Sequence, residues 1–295
     1  LRARWLKRLL IGTVPPDAWT SLIAVSATVK AAYARAGFDP SRIEVIHNGV
    51  APRFFATPST RPDDQAGPLR LLSVGRLCPE KGVLSALKAL ALLNDGDVQL
   101  DIVGDGDPAY QRELLAYARD QRFADRVTFH GRVSQDRLIA FYDQSDLLLN
   151  SALWAEPFGL TTVEAMARGL AVIGSRVGGT EEIITPGVNG VLTPPGDERA
   201  LAAAIQRLAA DPALRARLAS AARRTAEERF TIEENVRRVA RHLEHAVAGD
   251  PTNRANRANQ ADTDPDTDPD TDPDTDAAIR AETCTAPEGA RRAVG

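Results

Sequence analysis

The sequence predicts an α/β fold built on a doubly wound parallel sheet. Short, nearly continuous apolar runs recur along the chain, and amphipathic helical stretches separate them. A strand that is apolar throughout is typical of a parallel sheet with helices on both faces, because neither side of the strand meets solvent. The regular order of strand, helix and strand indicates crossover connections within one sheet. Sheets of this kind bind ligands beyond the carboxyl ends of their strands, which is where we look for a site.

The N-terminal part of the chain predicts two short strands around one helix. Residues 20–26 and 43–50 have the apolar character of strands, and residues 27–36 have the spacing of a helix. Residues 51–68 are rich in Pro, Asp, Ser and Thr and are predicted to be a linker.

Beyond the linker, the alternation becomes regular and predicts one domain over residues 69–248. The expected strands are 69–74, 98–103, 127–129, 146–149, 170–173 and a short one near 191–192, and the expected helices are 82–94, 108–123, 135–143, 161–168 and 180–185. From residue 197 to 248 the chain is rich in Ala, Arg and Glu with helical spacing. This part predicts three packing helices, with breaks at Asp211-Pro212 and Phe230-Thr231.

Residues 249–295 differ sharply in composition from the rest. Eight aspartates occupy alternate positions between 262 and 276, with almost nothing apolar beside them. Such a segment cannot bury enough apolar surface to fold, so a disordered acidic tail is expected. It could serve as a solvated spacer or bind divalent cations weakly.

Composition excludes several classes of protein. The formal net charge of −4 comes from the acidic tail, so the foldable part is close to neutral and predicts no nucleic-acid partner. Cys78 and Cys284 lie far apart, which argues against a disulfide framework and for a reducing compartment. No apolar run approaches the roughly 18 to 20 residues that span a bilayer. The basic segment from Arg2 to Arg8 could contact an anionic membrane surface or form a solvated helix.

The stretch from Trp154 to Gly169 is the centre of the predicted site. It places Glu156 and Glu164 eight positions apart, at the entrance to an alanine-rich helix. Thr161 or Thr162 could cap that helix, which would put Glu164 in the first turn, where the helix dipole favours a carboxylate. The arrangement suggests a site for an anionic, hydroxyl-rich ligand. The alternative is a surface loop that leads into an ordinary helix.

Two other turns follow predicted strands. In the first, Gly75 allows close approach of a ligand to the backbone, while Arg76 and Lys81 can bind phosphate oxygens. In the second, Gly104-x-Gly106 resembles a dinucleotide fingerprint. The third glycine is missing and the next helix starts too late, which argues against a nicotinamide enzyme.

Three further features bear on the chemistry. The turn that contains His130 and Val133 could offer main-chain groups to a nucleobase, with His130 packed at a strand end. Gly178-Gly179 allows another close backbone approach, and Thr180 is a candidate helix cap. No His/Cys cluster has the ligand spacing of a zinc site, and no Gly-x-Ser-x-Gly elbow occurs.

Taken together, the motifs resemble family 4 of the retaining glycosyltransferases, which have the two-domain GT-B fold. In order, they are Asn48-Gly49-Val50, Gly75-Arg76-Leu77-x-Pro79-Glu80-Lys81-Gly82, Gly104-x-Gly106, Glu156-Pro157-Phe158-Gly159-Leu160-x3-Glu164 and Gly178-Gly179-x3-Ile183. The resemblance extends from about residue 20 to 247. It implies a Rossmann-like C-terminal half of a GT-B fold, with residues 1–50 as a remnant of the N-terminal acceptor domain. That domain normally supplies more than a hundred residues before this point, so we expect the chain to be a fragment.

The resemblance also implies roles for the basic and acidic residues. Arg76 and Lys81, beside Gly75, would bind the donor pyrophosphate and stabilise the charge that builds on the leaving diphosphate. Glu164 would accept hydrogen bonds from the ribose hydroxyls, because two carboxylate oxygens suit a vicinal diol. Glu156 would contact the transferred sugar near its reactive carbon. The expected catalytic residues are therefore Glu156, Arg76 and Lys81.

The remaining implied contacts come from the main chain. The amides of Phe158, Gly159 and Leu160 would touch sugar hydroxyls or phosphate, and Val133 would hold the base. No cofactor and no metal would be required, and a nucleotide-diphospho-sugar linked to UDP, GDP or ADP would be the co-substrate. The expected acceptor is a glycan or a lipid-linked molecule, handled in the cytoplasm with possible contact to the inner face of the membrane.

Other functions remain open at this point. A carboxylate pair is also typical of a glycoside hydrolase, but the second acid is implied to bind ribose, away from the bond that breaks. A nucleotide-sugar-binding module without turnover is the main alternative. A GT-B epimerase or phosphorylase is a third.

Overall fold

A computed structural model describes residues 21–56, 67–93, 98–121 and 123–249. Two compact units divide the chain, residues 1–247 and 248–295, and all but the last two described residues belong to the first unit. The basic N-terminal segment, most of the predicted linker and the acidic tail lie outside the described residues.

The strands of the described part form two parallel sheets. They are β1 (Leu22–Ala24), β2 (Ile43–Val45), β3 (Leu69–Val74), β4 (Val98–Val103), β5 (Val127–Gly131), β6 (Leu147–Asn150), β7 (Ala171–Ser175) and β8 (Val191–Thr193). β1 and β2 pair with each other, and the other six form one sheet in the order β5-β4-β3-β6-β7-β8. The order reverses between β3 and β6, which is the position where doubly wound sheets bind their ligands.

Helices connect these strands and follow the last one. They are α1 (Ala27–Arg35), α2 (Val83–Ala91), α3 (Pro108–Asp120), α4 (Gln135–Gln144), α5 (Leu160–Ala167), α6 (Thr180–Ile183), α7 (Glu198–Ala210), α8 (Pro212–Arg229) and α9 (Ile232–Gly249). Short 3₁₀ helices occur at Pro40–Arg42, Pro52–Phe55, Pro79–Lys81 and Ala124–Arg126. The predicted α/β fold with a doubly wound parallel sheet is confirmed, including the three C-terminal helices and both of their breaks.

Side chains of the central strands alternate between two apolar layers. Leu71 and Leu149 pack with helices α2, α3 and α7 on one face, whereas Leu72 and Leu148 pack with α5 and α8 on the other. Because successive strand residues point to opposite faces, a strand between two helical layers must be apolar at nearly every position. The continuous apolar runs of the sequence have this origin.

The second predicted strand is shorter than expected. The ladder ends at Val45, and Val50 pairs instead with Thr231 at the start of α9. The Val50 amide donates to the carbonyl of Phe230 at 2.8 Å, and the Ile232 amide donates to the carbonyl of Val50 at 3.1 Å. A strand was therefore correctly expected from Ile43, but the pairing partner of Val50 lies far along the chain.

The beginning of the predicted linker packs into the fold. Pro52–Phe55 forms a 3₁₀ helix, and Phe54 is only 1% exposed. Arg168 donates to the carbonyls of Phe54 at 3.4 Å and Ala56 at 2.9 Å. The same guanidinium forms a bidentate pair with Asp143, at 2.7 and 2.8 Å. The buried Arg168 guanidinium therefore holds the chain in place just before residue 57.

Helix α9 packs against the small sheet. Asn235 donates to the carbonyl of His47 at 2.6 Å, and Arg238 donates to the carbonyl of Val45 at 2.6 Å. The His242 ring lies within 2.7 Å of both Glu44 and Ser21. In the described part of the chain, no helix is long and apolar enough to cross a membrane.

Candidate functional site

Two loops meet at the carboxyl edge of the large sheet, beside the point where the strand order reverses. The basic loop (residues 75–82) follows β3, and the acidic loop (residues 151–159) follows β6. The Leu153 amide donates to the carbonyl of Glu80 at 2.8 Å, and the Ser151 hydroxyl donates to the carbonyl of Gly82 at 2.9 Å. A β-carbon at Gly82 would lie 1.9 Å from the carbonyl oxygen of Ser151, so the two loops are in close backbone contact.

The basic loop carries the cations Arg76 and Lys81, and its backbone is hydrogen-bonded to the end of β4. The amides of Gly75 and Leu77 donate to the carbonyls of Val103 at 3.0 Å and Asp105 at 2.8 Å. Gly104 has φ +137°, and a β-carbon there would lie 1.8 Å from the Gly75 carbonyl oxygen. The Gly-x-Gly pattern that resembled a nucleotide fingerprint therefore allows two backbones to pack closely.

The Lys81 ammonium pairs with the Glu156 carboxylate, which joins the two loops by charge. The Glu156 side chain is 6% exposed and that of Lys81 is 21% exposed. Gly75, Arg76 and Lys81 line a small recess at the end of β3, together with Asn150 and Ser151. Arg76 itself is exposed. The recess is thus lined by two cationic side chains, one of which is paired with a buried carboxylate.

Asn150, at the end of β6, positions the other oxygen of Glu156. Its amide group donates to Glu156 Oε2 at 3.2 Å and to Thr162 Oγ1 at 3.0 Å, and it lies 3.5 Å from Thr180 Oγ1. Both threonines are fully buried. Asn150 was not among the predicted site residues. The available signal was a polar residue at the end of an otherwise apolar strand.

Opposing effects act on the Lys81 ammonium. Burial lowers the pKa of this group from its usual value, because a desolvated cation is costly. The neighbouring Arg76 guanidinium lowers the pKa of Lys81 further, whereas the Cys78 side chain opposes the shift. The contact with the Glu156 carboxylate is the basis on which we assign the charged form to Lys81.

Glu164 is held in a different way from the prediction. Helix α5 begins at Leu160 after Gly159, which has φ +104°, and no side chain caps it. Thr161 and Thr162 are therefore not caps, and Glu164 is the fifth helical residue instead of a first-turn residue. It is 9% exposed and accepts a hydrogen bond from the Tyr142 hydroxyl at 2.8 Å. Packing against α4, and not the helix dipole, fixes this carboxylate.

Burial raises the pKa of Glu164 above the usual glutamate value of 4.5, and the hydrogen bond from Tyr142 opposes the rise. Burial together with the neighbouring Glu164 charge raises the pKa of Tyr142, which is fully buried. A neutral tyrosine that donates to a carboxylate is the state that satisfies both groups. The pair therefore forms a fixed acceptor at the sheet edge.

We expect Tyr142→Phe to lower the free energy of unfolding by about 1–3 kcal/mol, because a buried carboxylate loses a hydrogen bond. The substitution keeps the ring and its packing, so the loss reports the hydroxyl alone. Urea denaturation measures it, and Tyr33→Phe at an exposed ring is the control. Equal stability of the two variants would contradict the role given to the Tyr142 hydroxyl.

The remaining predicted residues divide into two groups. Phe158 and Gly159 end the acidic loop, and Leu160 begins α5. Phe158 is 3% exposed as a whole residue, whereas Leu160 is 43% exposed. Val133 is half-buried beyond β5, which is two strands from β3 in the sheet. The structure brings the acidic and basic loops together and places Val133 further along the same edge.

Two minor expectations concern helix starts and His130. Gly179, and not Thr180, precedes α6, and no side-chain cap is present there. His130 packs at a strand end as expected, 2.6 Å from Asp101 and with its ring 4.4 Å from that of Phe141. Among the described residues, no group of three or more His, Cys, Asp or Glu side chains is placed to hold a metal ion.

A parallel sheet of this topology, with a cationic loop and an acidic loop at its switch point, matches the Rossmann-like half of GT-B glycosyltransferase structures. The chain belongs to the family described as glycosyl transferases group 1, whose model matches residues 60–225.

Known relatives give the same result. The chain is similar to a glycogen synthase of Mycobacterium tuberculosis, with 35% identity over 62% of this chain and 44% of the relative. It is also similar to the amylovoran biosynthesis glycosyltransferase AmsK of Erwinia amylovora, with 33% identity over 70% of this chain and 52% of the relative. The chain therefore spans about half the length of the curated relatives that it matches.

Solved structures share the fold. Anabaena Alr3699/HepE in complex with UDP is 30% identical with a TM-score of 0.71, over 77% of this chain and 64% of that one. The same protein in complex with UDP-glucose matches equally well, with the same identity and TM-score. The C-terminal domain of a group 1 glycosyltransferase from Francisella tularensis, 24% identical with a TM-score of 0.56, is covered completely by 62% of this chain.

Proposed function

We propose that this chain is the donor-binding part of a retaining glycosyltransferase of family 4. The complete protein would transfer a hexose from a nucleotide-diphospho-sugar to a glycan or glycolipid acceptor. The observation that carries the proposal is the pairing of Lys81 with the buried Glu156, beside Arg76, at the switch point of the sheet. Because the chain spans about half the length of its relatives, donor binding is proposed for the chain and turnover for the whole protein.

In this proposal, the basic loop stabilises the leaving diphosphate. When the bond between the sugar and the diphosphate breaks, negative charge builds on the leaving phosphate oxygens. Arg76 and Lys81 are positioned cations that stabilise this charge as it develops, which lowers the barrier more than it strengthens ground-state binding. These two cations supply the stabilisation, and we propose that no metal ion takes part.

Glu156 has an electrostatic and orienting role in this proposal. One oxygen pairs with Lys81 and the other accepts from Asn150. A carboxylate held at both oxygens is better placed to stabilise the developing positive charge of the sugar ring than to attack it. The incoming acceptor would then approach the face from which the diphosphate leaves, which retains configuration. This assignment separates the chain from a glycoside hydrolase, in which the second carboxylate works at the same bond.

Glu164 is the proposed ribose ligand. Its carboxylate is fixed by Tyr142 and is acceptor-only when ionised, so it suits the two hydroxyls of a ribose ring. The Phe158 and Gly159 amides and the first amides of α5 are proposed to face phosphate or sugar oxygens, since helix N-termini favour anions. Val133, further along the sheet edge, is proposed to hold the base through its main chain.

The structural neighbours that bind UDP and UDP-glucose make UDP-sugars the first donors to test. Isothermal titration calorimetry of the chain with UDP-glucose, and with GDP- and ADP-linked sugars, tests the proposal. We expect the chain to bind at least one of these nucleotide-sugars. Glu164→Gln should weaken the affinity for it about tenfold to a hundredfold through the loss of charge-assisted hydrogen bonds. Glu113→Gln, at an exposed position of α3, is the control. Failure of every nucleotide-sugar to bind the wild-type chain would refute the proposed function.

The raised pKa of Glu164 predicts opposite pH dependences for binding and for stability. Nucleotide affinity needs the ionised carboxylate, so it should fall as the pH is lowered from neutrality toward the usual value of 4.5. Stability has the opposite dependence, because folding favours the protonated form of Glu164. The stabilisation that this carboxyl group contributes is present below pH 4.5 and is lost as the pH rises through its raised pKa in the folded state. Calorimetry and urea denaturation at several pH values measure the two trends, and the difference between the wild type and Glu164→Gln separates the contribution of this carboxyl group from that of the other titrating residues. Parallel trends would contradict this assignment.

The main alternative is a binding module without turnover. It makes the same prediction for nucleotide binding but differs in the transfer assay. Release of nucleotide diphosphate from the donor, measured on the full-length protein with a glycan acceptor, separates the two functions.

A further inference from the structure

Helix α6 is packed directly on the acidic loop. The Gly179 amide donates to the Glu156 carbonyl at 2.8 Å. A β-carbon at Gly178 would lie 2.3 Å from the same carbonyl oxygen, and one at Gly179 would lie 2.5 Å from the Cα atom of Phe158. There is no space for a side chain between the two backbones. Any shift of α6 must therefore move the segment that contains Glu156.

The other end of α6 binds the N-terminal part of the chain. Glu182 Oε2 accepts from the Ala27 amide at 2.9 Å, and Oε1 accepts from the Thr28 amide at 3.2 Å. These amides open helix α1, whose N-terminus favours a negative charge. One glutamate of the donor-binding domain thus caps a helix of residues 21–50, which lies before the predicted linker.

His47 forms a second connection between the same parts. Its Nε2 atom lies 3.1 Å from Glu182 Oε2, while its ring stacks on Phe158 with centroids 5.5 Å apart at 24°. The ring also meets the edge of Phe230 at 5.6 Å. His47 and Glu182 side chains are only 17% and 21% exposed. The imidazole therefore touches the cap of α1 and the acidic loop at once.

We propose that Glu182 and His47 are positioning residues that couple the placement of α1 to the acidic loop, and hence to donor binding. This inference rests on the proposed function. Neither residue touches the donor: Glu182 acts through α6, and His47 acts through Phe158. Coupling is reciprocal, so a bound donor must also strengthen the anchorage of α1.

A purely structural cap would behave differently. If Glu182 were only a cap, its replacement would lower the stability of α1 equally in the presence and absence of donor, and donor affinity would not change. Coupling instead requires that donor binding slow hydrogen exchange at Ala27 and Thr28, and that this added protection vanish when Glu182 loses its charge.

The experiment compares Glu182→Gln with Glu181→Gln in the full chain. The two variants make the same change at adjacent positions of α6, but Glu181 is exposed. UDP affinity is measured by calorimetry, and amide exchange at Ala27 and Thr28 is followed with and without UDP. We expect Glu182→Gln to bind UDP at least about fivefold more weakly and to lose the UDP-dependent protection, while Glu181→Gln matches the wild type.

The outcomes separate this inference from the proposed function. UDP affinity and protection equal to the wild type in Glu182→Gln would overturn the coupling while the donor site stands. If the wild type binds no nucleotide-sugar, the proposed function falls and the coupling falls with it. If a thermal melt shows that Glu182→Gln does not fold, the UDP affinity of His47→Gln tests the coupling instead. It keeps a hydrogen-bond donor for Glu182 but removes the ring that stacks on Phe158, so the same loss of affinity is expected, and unchanged affinity overturns the proposal.

Discussion

Replacement of Lys81 by methionine is expected to lower kcat/KM for sugar transfer by about 10²- to 10³-fold, because one positioned charge on the leaving group is lost. Donor binding should weaken less, since the cation contributes most when charge has built on the diphosphate. The fall should therefore appear mainly in kcat. Steady-state release of UDP from the donor by the full-length protein, together with UDP calorimetry, measures both quantities.

The ion pair makes the effect of this substitution larger. Lys81→Met leaves Glu156, whose side chain is 6% exposed, without its cation in a buried position. An uncompensated buried carboxylate favours its protonated form, so its contribution to the reaction is lost as well. Lys81→Arg should restore part of the rate because it keeps a cation. Lys88→Met on α2, where the lysine is 45% exposed beside Glu198, is the control. Equal kcat values for Lys81→Met and Lys88→Met would contradict the role of Lys81.

The sheet was predictable because its determinants are local. The central strands are mostly apolar, as at Leu69–Val74 and Leu147–Asn150. Burial on both faces leaves this pattern in the sequence whatever the partners are. The location of the basic and acidic loops then follows from topology, because carboxyl ends of parallel strands meet at one edge.

The supporting residues of the site were not predictable for the opposite reason. Tyr142 and Glu164 lie on different helices, and Asn150 meets Glu156 only when the loop folds back on β6. Nothing in the local sequence specifies such contacts. The expected cap at Thr161 or Thr162 was wrong because the helix already begins at Leu160, and Gly159, with φ +104°, occupies the cap position.

Those contacts also distinguish the two carboxylates more clearly than their spacing does. Glu156 is bound by a cation and an amide, which favours its charged form at the basic loop. Glu164 has one neutral donor and a raised pKa. Two acids eight positions apart in the sequence therefore have different binding partners. This difference suits the proposed roles, with an ion-paired carboxylate near the reacting sugar and a hydrogen-bonded acceptor at the ribose.

The second large effect is expected at Gly104, which lies behind the basic loop. Gly104→Ala should lower the free energy of unfolding by about 3 kcal/mol or more, since φ +137° disfavours a side chain and the new β-carbon would lie 1.8 Å from the Gly75 carbonyl oxygen. Backbone cannot move aside as a flexible side chain can. Urea denaturation measures the loss.

The Gly169→Ala variant separates the effect of backbone strain from the effect of the overlap with the Gly75 carbonyl. Gly169 also has positive φ, +78°, but nothing lies within 4 Å of its β-carbon position. It should lose only about 1–2 kcal/mol from backbone strain. Gly104→Ala should also weaken UDP binding, because relief of the overlap must displace Gly75 and with it Arg76 and Lys81. Gly169→Ala should leave UDP affinity unchanged. If both variants lose the same stability and bind UDP equally well, the close contact between β4 and the basic loop does not position the cations.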